Sequence, residues 1–240
     1  MTDKQRVLLE KIAGKLIVSC QARMGWPMYG TQIMAAFARA AQEGGAAGIR
    51  ATGADNIAAI KERVDLPIIG INKQFSDDCD VYITPTWEAA REVLGVGVEV
   101  IALDATPRPR PGGERLGDIV TQIRESYPDV LVMGEISTIE EARAALPLGF
   151  DLVSTTLAGY TVESADVTQA AVGLVREIVA ETETPVIAEG KVRTERDAIA
   201  LLDAGALAVV VGTSITRPEV ITSRYAEALA ERASRAKGGA

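Results

Sequence analysis

The chain has 240 residues, of which 48% are hydrophobic and 24% are charged, and this composition is typical of a globular protein. Its 25 basic and 33 acidic residues give a formal net charge of −8, which argues against a nucleic-acid partner. Histidine is absent, so histidine-dependent catalytic triads and histidine-ligated metal sites are excluded. Any acid–base chemistry must therefore use lysine, aspartate or glutamate.

The sequence also predicts where the protein works. The N-terminal segment contains only the short apolar run VLL, and no stretch approaches the ~20 apolar residues of a membrane span. The two cysteines, Cys20 and Cys79, lie far apart and form no CxxC pair, which is typical of a reducing compartment. We expect a cytoplasmic protein with no membrane partner.

Short runs rich in β-branched residues alternate with amphipathic patterns along the whole chain. The predicted strands begin at residues 16, 46, 67, 98, 130, 151, 185 and 208. A short N-terminal helix is expected at about 3–13, and clear helical periodicity follows at 34–42, 57–64, 119–127 and 198–205. Thr138 with Glu141 has the pattern of a capping box, and Pro218 marks the start of the last helix.

Eight strand–helix repeats in 240 residues predict an α/β protein with the TIM (β/α)8 barrel fold, in a single domain spanning residues 1–240. The alternative is an open doubly wound sheet, but the GxGxxG of a dinucleotide site does not follow the first strand. We interpret the segment VYIT, residues 81–84, as a decoration of the loop after the third strand and not as a ninth barrel strand.

Polar residues stand at the ends of the predicted strands, where the active sites of this fold collect. One such residue needs no function, because every strand meets solvent where it ends. Charged residues at five strand ends, all converging on one rim, instead predict a site with perturbed pKa values. In chain order the strand-end residues are Gln21, Arg50, Lys73, Asp104, Glu135, Thr155 with Thr156, Glu189, and Gly212 with Thr213 and Ser214.

The segments VIAEGK (186–191) and VVGTSITRP (210–218) follow the last two strands, where barrels of this class commonly bind phosphate. Gly190 and Gly212 allow the backbone to approach an anion closely. Thr213 and Ser214 offer further donors, and Arg217 supplies a charged fork. The pattern predicts a small phosphorylated substrate.

Eight phrases carry a family resemblance: LIVSCQ, GIR, PIIGINK, VYITPT, IALDATPRPRP, STTLAGYT, VIAEGK and VGTSITRP. They run from about residue 14 to about residue 225, and together they resemble the N-acetylmannosamine-6-phosphate 2-epimerases, the NanE family of bacterial sialic acid and amino-sugar catabolism. The resemblance implies an isomerase that interconverts N-acetylmannosamine 6-phosphate and N-acetylglucosamine 6-phosphate at C2, without a metal or an organic cofactor. It also allows a homodimer.

The resemblance implies residue roles as well. Lys73 and Glu189 are the proton-transferring pair, and Gln21 and Arg50 orient the substrate. The phosphate binders are Gly190, Gly212, Thr213 and Arg217. Strand-end placement adds Asp104, Glu135 and Thr155 as candidates for binding the sugar. Glu135 stands where the family pattern usually has an aspartate, and we interpret the longer side chain as a neutral variation at a hydroxyl-binding group.

A lysine that acts as a base must have a lowered pKa, because the unperturbed ammonium is almost fully protonated at neutral pH. Burial behind the isoleucines of PIIGINK and repulsion from Arg50 would lower the pKa of Lys73 toward about 7–8. Glu189 would raise it. Which of Lys73 and Glu189 is the base and which is the acid stays open, because the two groups titrate together.

Two other functions stay open beside the epimerase. A Schiff-base aldolase acting on a phosphorylated sugar would also use a lysine of low pKa at a strand end. A non-catalytic sugar-phosphate-binding barrel would keep only the phosphate site. The first loop, ARMGWPMYG, contains Met24, Trp26 and Met28, which we interpret as a surface packing cluster in preference to a lid over the N-acetyl group.

Overall fold

A computed structural model describes residues 1–238, and its eight parallel strands close into a single barrel in chain order. The TIM barrel prediction is confirmed, and the open sheet is excluded. The strands are β1 (Leu16–Cys20), β2 (Gly48–Thr52), β3 (Ile68–Ile71), β4 (Val100–Asp104), β5 (Leu131–Glu135), β6 (Leu152–Ser154), β7 (Val186–Glu189) and β8 (Ala208–Val211).

The helices surround the barrel, and several of their boundaries follow from local sequence. The predicted capping box closes the start of α6, where Thr138 accepts from the Glu141 amide, and Pro218 opens α10. The helices are α1 (Asp3–Ile12), α2 (Thr31–Glu43), α3 (Ala54–Lys61), α4 (Trp87–Leu94), α5 (Leu116–Ser126), α6 (Ile139–Ala145), α7 (Val172–Glu181), α8 (Glu195–Asp203), α9 (Thr213–Thr216) and α10 (Pro218–Gly238). Within residues 1–238, none of them has the length and hydropathy needed to cross a bilayer.

Successive strand residues face alternately into the barrel and out toward the helices. The inward apolar residues form a core that Leu9 and Ile12 of α1 close at the N-terminal end of the barrel. Above this core the same alternation continues with polar residues. Charged side chains stand two residues beyond the inward residues Ile71, Ala102 and Met133, and they are Lys73, Asp104 and Glu135.

One predicted strand end lies elsewhere in the structure. β2 continues to Thr52, so Arg50 is the third of its five residues and not the last. The Arg50 side chain points into the barrel and is only 1% exposed. Arg50 therefore lies below the rim, whereas Lys73 lies two residues beyond the end of β3.

The segment 81–84 folds back on the chain that follows β3, as a loop decoration should, and the eight-stranded barrel closes without it. Ile83 forms an antiparallel bridge with Lys73, and the Gln74 amide donates to the Tyr82 carbonyl at 2.9 Å. Thr84 donates through its hydroxyl to the Ala102 carbonyl of β4 at 2.6 Å. This small ribbon fixes the backbone that carries Lys73.

Candidate active site

A cavity of about 720 Å³ opens at the C-terminal ends of the strands. It contains seven of the predicted site residues: Gln21, Lys73, Glu189, Gly190, Gly212, Thr213 and Arg217. A smaller depression of about 380 Å³ between α4 and α5 contains none of them. The amine of Lys73 and the carboxylate of Glu189 therefore face the same space, which is the arrangement that proton transfer to and from one carbon needs.

Lys73 follows the apolar strand β3 and carries the titratable amine of the cavity. Burial and, after it, repulsion from the Arg50 guanidinium lower the pKa of Lys73 to about 8, against the opposing charges of Glu189 and Glu135. Within residues 1–238, Lys73 forms no ion pair with a carboxylate closer than 4.0 Å. At pH 7 roughly a tenth of this amine is therefore neutral, far more than for a lysine of ordinary pKa.

Glu189 ends β7 on the other side of the barrel mouth. Its Oε2 lies 3.1 Å from Arg50 Nε and accepts a hydrogen bond from the Thr156 hydroxyl at 3.2 Å. Burial raises the pKa of Glu189, and the charge of Arg50 opposes that rise. The side chain keeps 13% exposure, so the carboxyl group is held from one side while it still faces the cavity.

Arg50 and Glu135 lie beneath the cavity floor and do not line the cavity. Arg50 Nη2 donates to Glu135 Oε1 at 2.5 Å, and the side chains are 1% and 0% exposed. The Nε of Arg50 is close enough to Glu189 for an ion pair, although its N–H does not point at the oxygen as a hydrogen bond would. The guanidinium thus bridges the carboxylates of β5 and β7 and holds the Glu189 carboxylate in position. The role of Arg50 and Glu135 in binding the sugar stays a prediction.

Two more predicted substrate-binding residues are occupied by local contacts. The Asp104 carboxylate accepts from the Thr106 amide and hydroxyl at 2.9 and 2.7 Å, and pairs with Arg108 at 2.7 Å. The Thr155 hydroxyl donates to the Glu189 carbonyl at 2.9 Å and accepts from its amide. Neither residue lines the cavity, because one is satisfied by the β4 loop and the other by the β6–β7 pairing. Thr156, the next residue, lines it instead.

Gln21 contributes an unused acceptor to the cavity. Its Nε2 donates to the Ser19 hydroxyl at 2.5 Å, while its buried Oε1 has no hydrogen-bond partner among residues 1–238. A buried polar atom without a partner is uncommon and costly in a folded protein. A hydroxyl or amide N–H of a bound sugar would satisfy it.

The loops after β7 and β8 form the predicted anion-binding end. Packing favours glycine at position 212, since a Cβ there would lie only 3.2 Å from the Cβ of Ser19. The first amides of α9 lack intrahelical acceptors, as at every helix start. The Arg217 guanidinium lies 3.7 Å from the centre of the Trp26 ring and pairs with Glu219 at 2.7 Å.

Sequence reasoning missed several cationic residues of the same cavity. Lys191 lies with its amine 3.9 Å from the centre of the Tyr160 ring, and its backbone φ of 56° turns the loop after Gly190. Of the described residues that line the cavity, six are cationic and one, Glu189, is acidic; the cations are Arg23, Lys73, Lys191, Arg193, Arg217 and Arg224. A chain of net charge −8 thus presents a strongly positive cavity, which favours an anionic ligand.

Trp26 corrects the interpretation of the first loop, because it lines the cavity and is no mere surface packing residue. The Arg23 guanidinium lies over both Trp26 and Phe75, at 5.6 and 4.2 Å from the ring centres. The aromatic contacts continue inward, since Phe75 stacks on Tyr82 with the ring centres 5.0 Å apart. These contacts link the loops after β1, β3 and β8 across the mouth.

In residues 1–238 no group of three or more acidic, cysteine or histidine side chains is arranged to hold a metal ion.

The comparisons with known proteins agree with this geometry. Residues 34–231 match a family described as "Putative N-acetylmannosamine-6-phosphate epimerase". Proteins named "Putative N-acetylmannosamine-6-phosphate 2-epimerase" are 44% identical in Caldanaerobacter subterraneus subsp. tengcongensis, over 95% of this chain and 96% of that protein, and 47% identical in Listeria monocytogenes, over 91% and 95%. The solved structure of the N-acetylmannosamine-6-phosphate 2-epimerase from Clostridium perfringens is 46% identical, with a TM-score of 0.88 over 92% of this chain and 95% of that one.

The lowered pKa of Lys73 predicts a pH-dependent effect on stability when the amine is removed. Between pH 8 and about 10.4 the unfolded chain binds more protons at this lysine than the folded chain, so the wild-type stability rises with pH in that window. Lys73→Met should therefore raise the free energy of unfolding by roughly 2–3 kcal/mol at pH 7, and this gain should shrink as the pH approaches 10.4. Urea denaturation at pH 7 and pH 10 measures both values. A gain that is equal at the two pH values would contradict the lowered pKa.

Proposed function

The chain belongs to the NanE family of N-acetylmannosamine-6-phosphate 2-epimerases, and we propose that its cavity epimerises the sugar by moving the C2 proton through Lys73 and Glu189. The protein is an isomerase acting on a phosphorylated amino sugar. One observation supports the assignment of the two groups above all others. An amine of pKa about 8 and a carboxyl group of raised pKa line one cation-rich cavity.

The reaction needs a base, an acid and a stabiliser for negative charge. In the open-chain sugar, C2 is next to the C1 aldehyde, so removal of its proton gives an enolate. Return of a proton to the opposite face of that enolate inverts the centre. Nothing in this chemistry needs histidine, which the chain lacks.

The barrel supplies two groups that approach one carbon from different sides. β3 and β7 are four strands apart in a closed ring of eight, so they face each other across the barrel axis. Lys73 therefore reaches the cavity from one side and Glu189 from the other. We assign the neutral amine as the base for one epimer and the protonated carboxyl group as the acid on the other face, with exchanged roles in the reverse direction.

The phosphate group belongs at the other end of the cavity. Gly190, Gly212, Thr213 and Arg217 were predicted to bind it, and all four line the cavity with the additional cations Lys191 and Arg193. The backbone amides at the start of α9 add donors, as at many phosphate sites. We propose that the phosphate lies across the loops after β7 and β8, with the C1–C2 end of the sugar between Lys73 and Glu189.

We expect the isolated protein to exchange the C2 hydrogen of its substrate with solvent. In D2O, the glucosamine epimer that accumulates from N-acetylmannosamine 6-phosphate should carry deuterium at C2, which proton NMR detects directly. Lys73→Ala should abolish both exchange and epimerisation, because the base for C2 is removed, while substrate affinity stays within about tenfold. Retained turnover in Lys73→Ala would remove this residue from the chemistry.

The same preparation distinguishes the two alternative functions. A non-catalytic sugar-phosphate-binding barrel would bind the substrate without incorporating deuterium. A Schiff-base aldolase would form an imine on Lys73, which borohydride in the presence of substrate would trap as an adduct visible by mass spectrometry. The epimerase should leave the lysine unmodified.

Arg217→Ala should mainly raise KM for the phosphorylated sugar. The guanidinium contacts the anionic end of the substrate, far from the reacting carbon, so it contributes similar binding to the ground state and the transition state. We expect a rise in KM of roughly 10- to 100-fold with kcat within about threefold, as for the loss of a charge-assisted contact. Arg39→Ala, on the exposed face of α2, is the matched control and should leave both constants unchanged. Equal kinetics for Arg217→Ala and wild type would contradict the phosphate assignment.

We propose that the protein is a homodimer in which α10 contributes to the contact. This helix spans Pro218–Gly238, and its Tyr225 and Leu229 side chains are 72% and 67% exposed. Light scattering with size exclusion should give about 51 kDa, twice the 25.3 kDa of one chain. Tyr225→Glu with Leu229→Glu should shift the mass toward the monomer, because charges in an apolar contact are unfavourable. Val162→Glu, at an exposed valine elsewhere, is the control. A wild-type monomer would refute the proposal.

A cytoplasmic location and the absence of a nucleic-acid partner stay predictions. The free thiols of Cys20 and Cys79 favour a reducing compartment. The six cations of the barrel mouth line the cavity that we assign to the sugar phosphate.

A further inference from the structure

The proposed reaction places negative charge on the C1 oxygen of the sugar, and that charge needs a hydrogen-bond donor. Most polar groups near Lys73 are already in use. Thr156 donates to Glu189, and the Gln21 amide nitrogen donates to Ser19. Arg50 lies under the floor, where it is 1% exposed and paired with carboxylates. A side chain that lines the cavity with a free and fixed donor would fit the C1 oxygen best.

Tyr82 is such a residue, and the mechanism described so far does not use it. It lines the cavity, and the centre of its ring lies 5.8 Å from the Lys73 amine. Among the hydrogen bonds of residues 1–238, its hydroxyl takes part in none. Tyr82 also packs against the inner core of the barrel, so its ring is anchored on the side away from solvent.

The position of the Tyr82 ring is fixed by several contacts. Phe75 stacks on it at 5.0 Å with an angle of 20° between the planes, and Arg23 covers Phe75 in turn. The Tyr82 carbonyl accepts from the Gln74 amide, within the ribbon that also bridges Lys73 and Ile83. The phenol and the amine are therefore carried by the same short piece of structure. A donor preorganised in this way loses little freedom when it binds.

The protonation state of Tyr82 suits a donor. Burial and, after it, the charge of Glu135 raise the pKa of Tyr82 to about 12. The hydroxyl thus keeps its proton throughout the pH range in which Lys73 titrates. Arg23, the other donor on this side of the cavity, is exposed to water and held over Phe75, where a hydrogen bond to the substrate would be weaker.

We propose that Tyr82 is a further catalytic residue, whose hydroxyl donates a hydrogen bond to the C1 oxygen of the sugar as the enolate forms. The proposal rests on the epimerase function assigned above. The C2–H bond breaks and its proton goes to the Lys73 amine. The C–H electron pair forms the C1–C2 double bond, and the carbonyl pair moves onto the C1 oxygen. The phenol keeps its own proton, so the step is balanced without any further reagent.

Tyr82→Phe tests the proposal, because it removes the hydroxyl and keeps the ring that stacks on Phe75. We expect kcat to fall roughly 100-fold, as for the loss of one oxyanion donor, with KM within about threefold. Solvent deuterium exchange at C2 should fall by the same factor as epimerisation. Tyr127→Phe, which removes a phenol at the end of α5 outside the cavity, is the control and should retain full activity.

Two further measurements separate a donor from a packing role. Incorporation of 3-fluorotyrosine at position 82 restores the hydroxyl and should return kcat to within roughly threefold of wild type, as the restored donor predicts. A hydroxamate analogue of the enolate should bind Tyr82→Phe at least tenfold more weakly, whereas the open-chain alcohol 6-phosphate, which lacks the oxyanion, should bind equally well.

The outcomes are distinguishable from a failure of the proposed function. Wild-type protein that does not exchange C2 hydrogen would remove the epimerase assignment itself. Active wild type with Tyr82→Phe within twofold of its kcat would overturn only the role of Tyr82. Failure of 3-fluorotyrosine to restore activity, or equal weakening of both analogues, would also overturn it, since either result indicates a packing effect.

Discussion

The buried guanidinium of Arg50 is the interaction on which the site depends. It joins Glu135 of β5 and Glu189 of β7 below the cavity floor, in a part of the barrel from which water is largely excluded. Burying such ions costs several kcal/mol each, and their mutual attraction often does no more than offset that cost. The arrangement is therefore better explained by its effect on the position of the Glu189 carboxylate than by a gain in the free energy of unfolding. Without Arg50, two carboxylates would face each other in a medium of low polarity, and Glu189 would have no fixed orientation.

The same charge also sets the balance between the two titrating groups. Arg50 lowers the pKa of Lys73 by repulsion and opposes the rise in the pKa of Glu189 by attraction. Burial favours the neutral form of both groups, so it lowers the pKa of the amine and raises the pKa of the carboxyl group. Both pKa values thereby move toward neutral pH. An acid–base pair works most efficiently when its pKa values lie near the working pH. The apolar strand that precedes Lys73 is thus as important to the chemistry as the charged residues themselves.

The fold and half of the site could be predicted from the sequence because they depend on local patterns. The alternation of strands and helices fixes the barrel, and the strand-end position of Lys73 and Glu189 places both in the mouth. The depth of Arg50 could not be predicted, since GIRAT gives no sign that β2 continues to Thr52. Asp104 also appeared to be a free rim carboxylate, but contacts with Thr106 and Arg108 occupy it, and such loop contacts depend on tertiary structure. The stacking of Arg217 on Trp26 joins opposite ends of the chain and has no local signature.

The cavity separates binding from chemistry by distance, and this has an energetic consequence. Five of its six cations are not the reacting amine, and they surround the loops after β7 and β8 or the mouth, while Lys73 stands alone at β3. An anionic phosphate held by those cations provides binding energy at a point remote from C2. That energy can place C2 between Lys73 and Glu189 in a site whose apolar walls would otherwise favour neither a charged sugar phosphate nor an enolate. The reacting groups are thereby relieved of the task of attracting the substrate, and their pKa values can be set by burial and by the charges of the barrel floor, Arg50 above all. A cationic environment at β3 as dense as that at β8 would lower the pKa of Lys73 too far for it to hold the proton that it removes.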